Sequence, residues 1–147
     1  MREIKFRGKR VDTGEWVYGC LCYEHIEGEY PISFDGCHTK AFGIFRQLVI
    51  QVVDDDLDTY PVIPETVGQY TGLKDKNGVE IYEGDILKVS KDYEGDYTPI
   101  IVGYEQSHFT AQVAHRLLAP CPLDNIFNNA VHEVIGNIHD NPELLEG

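Results

Sequence analysis

Short segments in which apolar and polar residues alternate, separated by glycine-rich turns, run through most of this chain. Glu3-Ile-Lys-Phe-Arg7 alternates charged and apolar positions, the period-2 signature of a strand with one buried face, and predicts Ile4 and Phe6 as inward-facing. Asp12-Thr-Gly14 predicts a turn. Glu15–Tyr23 returns as a longer strand, so the two segments should form a hairpin whose loop lies within Gly8–Gly14. Glu24–Thr39 is polar and turn-rich, with a short extended piece near Tyr30–Phe34. Pro31 should keep that piece at a sheet edge, because proline cannot donate to a central ladder. Phe42–Val53 is the most apolar run, and its β-branched cluster at Val49, Ile50, Val52 and Val53 argues for strand. Asp54–Asp58 should end it as a solvated acidic loop.

Tyr60-Pro-Val-Ile-Pro64 reads as an extended connector, and the boundary between two lobes, 1–62 and 63–147, is placed here. The second lobe opens with a strand at Val67–Thr71. Turn signals follow at Thr71-Gly72, Asn77-Gly78 and Glu83-Gly84, and Asn77-Gly78 suits a type I′ hairpin turn because both residues tolerate left-handed geometry. Further strands are expected at Asp85–Val89, Pro99–Tyr104, His108–Val113 and Val131–Ile138, with a charged loop at Ser90–Tyr97. A helical turn is expected at Leu123–Phe127, and a last short helix has Asn141 as its cap and Pro142 in its first position. The pattern predicts a mostly β fold with one or two short helices: a hairpin-rich N-terminal lobe and a C-terminal SH3-like small barrel. In that barrel Asp85 would accept a hydrogen bond from turn amides.

The stretch Gln69-Tyr-Thr-Gly-Leu-Lys-Asp-Lys-Asn-Gly78, followed by Ile81-Tyr-Glu-Gly-Asp85, resembles the core motif of the YopX family of bacteriophage and prophage proteins. Met1–Arg7, Trp16-Val-Tyr-Gly19, Val134–Ile138 and Asn141–Leu145 agree with it in order, so the resemblance spans nearly the whole chain. It implies a small, mostly β accessory protein with no established activity, in the cytoplasm of a bacterial host. No catalytic residues come with it. The motif residues Gly68, Gln69, Tyr70, Thr71, Gly72, Asp75, Asn77, Gly78, Glu83, Gly84 and Asp85 read as structural.

Charge changes the picture of partners. The net charge is −13, yet the first ten residues hold Arg2, Lys5, Arg7, Lys9 and Arg10 against Glu3 alone. The remainder carries 7 of the 12 basic and 24 of the 25 acidic residues. An acidic surface repels phosphate, which disfavours nucleic acid as a partner. No run of about 18 apolar residues exists, so no membrane span is expected, and the charged N-terminus lacks the apolar stretch of a signal peptide. Cytosolic conditions would keep Cys20, Cys22, Cys37 and Cys121 reduced. Cys20, Cys22, His25, Cys37 and His38 could supply zinc ligands, but they lack paired Cys-x-x-Cys knuckles, so no metal or cofactor is expected. Asp75-Lys-Asn-Gly78 has its glycine too early for a calcium loop.

No phosphate loop, nucleophile elbow or deaminase signature is present. A non-catalytic protein-binding or assembly module is therefore favoured over an enzyme. Two alternatives stay open: an enzyme whose site gathers dispersed His, Asp and Glu residues, and an acidic modulator of host nucleic-acid enzymes. Partners are expected to be a second copy of the chain, giving a homo-oligomer, or a host or phage protein. Arg7, Trp16 and Tyr18 are the candidate interface residues.

Overall fold

The computed structural model describes residues 3–34, 36–52, 56–90, 99–113, 121–123 and 131–146. It is mostly β, built from antiparallel pairs, with almost no helix. The expected charged loop at Ser90–Tyr97 (beyond Ser90), most of the helical turn at Leu123–Phe127, and Asp54 and Asp55 of the acidic run lie outside the described residues. The chain divides into two compact units, Lys5–Val67 and Gly68–Gly147, the latter together with Met1–Ile4.

In the first unit β1 (Phe6–Lys9) pairs with β2 (Trp16–Phe34), Phe6 opposite Gly19 and Lys9 opposite Trp16. β2 pairs in turn with β3 (Cys37–Gln51) along its length, from Cys20 opposite Gln51 to Phe34 opposite Cys37. β4 (Thr59–Pro61) covers only the end of β3, at Val49–Gln51. Val49, Ile50 and Val62 are buried, and Gly8 brings the β1 backbone close enough that a Cβ there would lie 3.1 Å from Val62 Cβ. A single turn of 3-10 helix at Pro64–Thr66 follows, and Thr66 Oγ1 accepts the Lys9 amide (2.9 Å) while donating to the Ile63 carbonyl (2.7 Å).

Two expectations fail in this unit. Glu24–Phe34 is not a turn-rich segment but the second half of one 19-residue strand, with Pro31 on its outer edge opposite Lys40. Its polar residues misled because none of its described side chains is fully buried: Glu24, Ile26 and Gly28 are only half-buried while His25, Glu27 and Glu29 are exposed, so strict apolar–polar alternation is not enforced. Ile4 does not face inward. It precedes β1 and is 67 % exposed, whereas Arg7 is buried at 6 % because its guanidinium lies over the Trp16 ring.

In the second unit β5 (Gly68–Lys74) and β6 (Glu80–Tyr82) form a hairpin. A five-stranded antiparallel sheet follows in the order β10-β9-β8-β7-β11, from β7 (Asp85–Ser90), β8 (Pro99–Glu105), β9 (His108–Val113), β10 (Cys121–Pro122) and β11 (Val131–Asn137). Its core is Ile81, Leu87, Ile100, Val102, Phe109, Ala111 and Leu123, with Leu73, Val89, Cys121 and Val134 packed around it. Leu87 and Val89 on β7 and Phe109 and Ala111 on β9 face this core, while Ile86 and Thr110 on the opposite faces are buried as well. Full burial of Leu87 is worth about 2–3 kcal/mol.

The type I′ turn falls elsewhere than expected. Of Asn77-Gly78 only Gly78 has positive φ (80°). The Gly78 amide donates to the Asp75 carbonyl and the Asp75 amide to that of Val79, giving a type I turn closed by a left-handed glycine. The two-residue type I′ loop is instead Gln106-Ser107, at φ 48° and 68°, between the paired Glu105 and His108. Asn141 occupies the N-cap position of the final 3-10 turn, Pro142–Leu145, and its carbonyl accepts the Leu144 amide (3.1 Å), but its side chain makes no capping bond. Its Oδ1 accepts the Asn137 amide (3.3 Å), so it ties down the end of β11.

Candidate functional site

The family-like motif occupies the start of the second unit, and its polar side chains are spent on backbone. Asp75 is buried at 8 %. Its Oδ1 accepts the amides of Asn77 (2.8 Å) and Val79 (2.9 Å), and its Oδ2 accepts that of Val134 on β11 (3.0 Å). Burial works to raise its pKa, but the three amide donors outweigh it and hold the carboxyl below the ordinary aspartate value. Lys76 adds a second tie to β11: its amide donates to the His132 carbonyl (3.1 Å) and its ammonium lies 3.2 Å from Glu133.

Thr71 Oγ1 donates to the Ile81 carbonyl (2.8 Å) and accepts the Leu73 amide (3.2 Å). This holds an irregularity in which β5 gains two residues on β6 around Gly72, φ 84°. Asp85 is buried at 1 % and accepts the Tyr82 amide (2.8 Å) across the Glu83-Gly84 turn. That turn is anchored to three elements: the Glu83 amide reaches Gln69 on β5, the Gly84 amide reaches Val102 on β8, and the Gly84 carbonyl accepts Ile138 after β11. Gly68 passes so close to Glu83 that a Cβ there would sit 2.5 Å from the Glu83 carbonyl oxygen. Tyr70 and Tyr82 pack with ring centroids 5.4 Å apart. Both carboxylates are thus coordinated by amides of the chain itself.

The zinc-type residues are not brought together. Cys20 and Cys22 point to one face of β2 and His25 to the other, since side chains alternate along a strand. Cys37 pairs with Phe34 and His38 with Ser33, twelve and eleven residues beyond Cys22 on β2, which is about 35–40 Å at 3.3 Å per residue. Among the described residues no three His, Cys, Asp or Glu side chains are grouped to hold a metal ion. His108 is exposed and His132 buried, and His115 lies outside the described residues.

Arg7, Trp16 and Tyr18 do share a face, because Arg7 is opposite Tyr18 and Lys9 opposite Trp16. The Trp16 ring carries two cations, the Arg7 guanidinium at 4.7 Å and the Lys9 ammonium at 5.5 Å from its centroid. Tyr18 is 44 % exposed. Arg10 lies 4.3 Å over Tyr60 and grips Asp12 through two hydrogen bonds (2.9 and 2.6 Å), which raise the Arg10 pKa and lower that of Asp12.

The feature that sequence reasoning missed is the distal part of the β2–β3 hairpin. From Tyr23 to Arg46 it projects as a two-stranded arm in which no described residue is buried. One face shows Tyr23, His25, Glu27 and Glu29 beside their partners Leu48, Arg46, Ile44 and Phe42. Tyr23, Phe42 and Ile44 are 60, 71 and 72 % exposed. Arg46 lies over the Tyr23 ring (5.1 Å), and Lys40 pairs with Glu29 (3.5 Å). The signal that could have found it is the apolar, proline-free run at Ala41–Phe45 directly after a polar one.

A small antiparallel β protein with a motif-bearing turn system and a projecting hairpin arm is the class these features define. The chain matches the family model described as "YopX protein" over residues 5–146, and it belongs to the YopX family. It is similar to protein EF1440 from Enterococcus faecalis, known from a crystal structure, with 28 % identity and a TM-score of 0.50 over 99 % of this chain and 100 % of that chain. No curated protein matches.

Proposed function

We propose that this protein is a non-catalytic binding or assembly module, a phage- or prophage-type accessory protein that works in the bacterial cytoplasm through protein contacts. One observation carries the reading: the β2–β3 arm holds Tyr23, Phe42 and Ile44 out to solvent. A lone two-stranded hairpin is marginally stable in water, and large exposed apolar side chains on it are a contact surface awaiting cover. Membership of the YopX family is consistent with an accessory role. Among the described residues no helix is long and apolar enough to cross a membrane.

The two units act as separate domains in this reading. The second is an SH3-like small barrel, which its strand order supports: a four-strand meander, β7 to β10, with the last strand returning beside the first. Its motif residues serve to hold the turns. The first unit presents the contact surfaces, the arm together with Trp16 and Tyr18, to a second copy or to another protein, while Arg7, buried at 6 %, holds the Trp16 ring rather than meeting a partner. Affinity capture with the full chain and with a Phe42→Ser/Ile44→Ser double variant tests this. A protein held by the wild type and lost by the variant is the expected result. Equal capture by both, or turnover of a substrate that survives the double substitution, would overturn it.

A further inference from the structure

We propose, resting on the binding-module reading above, that the outer edge of β3 is the docking site and that its occupant is β3 of a second copy, paired antiparallel about a two-fold axis at Ile44. Phe34 and Cys37 close a two-residue loop, so Cys37 and every second residue after it point their N–H and C=O groups at β2. The groups of His38, Lys40, Phe42, Ile44 and Arg46 point the other way. Two bonds of the same parity agree: the Leu48 carbonyl accepts the Val62 amide at 3.1 Å, and the Val52 amide donates to Asp58 at 2.8 Å. β4 reaches only Val49–Gln51, and among the described residues no strand covers β3 before it.

The two edges of the arm are built differently. On β2 the outward position at Pro31 has no N–H to give, and Glu27 and Glu29 flank the approach. Proline and charge at these places are how proteins keep an edge from pairing. On β3 the stretch Thr39–Gln47 has no proline and no acidic residue, and its β-prone side chains Phe42 and Ile44 stand exposed. An unprotected edge beside a protected one on the same hairpin marks the side that is used.

Charge selects the occupant and the register. In a chain of net charge −13, β3 carries Lys40 and Arg46 and no acid, so it does not repel a copy of itself through carboxylates as β2 would. Pairing Ile44 with its symmetry mate sets Phe42 opposite the partner's Arg46, a cation beside an aromatic ring, and the pairing ends before Leu48, whose outward carbonyl is held by Val62. A neighbouring register centred on Gly43 would set Lys40 against Arg46 twice. Registers shifted toward Leu48 run into β4. The Ile44 register exchanges about six backbone hydrogen bonds, two at each of three narrow pairs, and covers Phe42 and Ile44 on both copies.

The test uses the full chain. Sedimentation at 1–100 µM should show mass doubling with concentration. Ile44→Pro removes only an outward N–H, so it should leave the far-ultraviolet circular dichroism unchanged and weaken association at least tenfold. Ile44→Cys should form a covalent dimer on mild oxidation, since paired Cα atoms lie about 5.5 Å apart, within disulfide reach. Phe42→Cys should not, because its mate would be about 13 Å away, and wild type controls for the native thiols. A wild-type monomer at 100 µM with no Ile44→Cys cross-link overturns the proposal, as does Ile44→Pro dimerising within threefold of wild type. If the wild type is monomeric but captures a different protein that Phe42→Ser/Ile44→Ser loses, the second copy is the wrong occupant and the binding-module reading survives. Failure of both sinks both.

Discussion

Removing the Asp75 carboxylate should cost more than removing any exposed side chain of the second unit. In Asp75→Ala three amides lose their acceptor, those of Asn77, Val79 and Val134 at 2.8, 2.9 and 3.0 Å. Hydrogen bonds to a charged group contribute roughly 1.5–3 kcal/mol each. Asn77 and Val79 sit in an exposed turn where water replaces much of the loss, whereas the Val134 amide lies on half-buried β11 and ties the turn to it. The net effect should be about 2–4 kcal/mol, a fall in melting temperature of about 4–16 °C at about 2–4 °C per kcal/mol for a chain of this size. Asp75→Asn keeps one acceptor oxygen but sets an NH2 group against Val134 or the turn, and should cost somewhat less. The pH dependence gives a second readout. Because the folded pKa is held below the ordinary value, the stabilisation is fully present above the unfolded-state pKa of about 3.9 and is lost as pH falls through the folded value. Urea titrations of wild type and Asp75→Ala at pH 7 and pH 3 measure this. A difference under 0.5 kcal/mol at pH 7, or one that grows toward pH 3, would refute the role given to the carboxylate.

Three further substitutions probe the same framework by thermal or urea unfolding. Gln106→Asn with Ser107→Gly should stabilise by about 1–2 kcal/mol, since both residues sit at positive φ in the type I′ loop; no gain would contradict that geometry. Gly68→Ala should destabilise by more than about 2 kcal/mol because the new Cβ has only 2.5 Å to the Glu83 carbonyl oxygen. Glu133→Gln should change stability by less than about 1 kcal/mol, because its pair with Lys76 is largely solvated.

What the sequence made legible is what packing enforces. His108–Val113 alternates apolar and polar residues because Phe109 and Ala111 face one core, and Gly78 and Gly84 mark backbone positions with φ of 80° and 90°. What stayed hidden is what packing does not enforce. Glu24–Glu29 alternates half-buried and exposed positions, but the half-buried face holds Glu24 and Gly28 beside Ile26, so the residue types did not announce a strand continuous with Trp16–Tyr23. Arg7, a candidate interface residue by sequence, is buried, and only the register that sets Lys9 opposite Trp16 shows why the ring lies beneath it. The Cys and His residues that looked adjacent in sequence were separated by a hairpin long enough to hold Cys22 and Cys37 at opposite ends. Asn141 was placed by a contact across four residues, to the Asn137 amide, that local helix rules do not anticipate.

Hydrogen–deuterium exchange of the full chain, compared at 1 and 100 µM and again with any captured partner, tests most directly whether the arm is a contact surface. Peptides covering Lys40–Leu48 should gain protection at high concentration or in the complex, while those covering β7 and β8 should stay unchanged. An arm that exchanges freely under every condition, with protection rising elsewhere, would contradict the account.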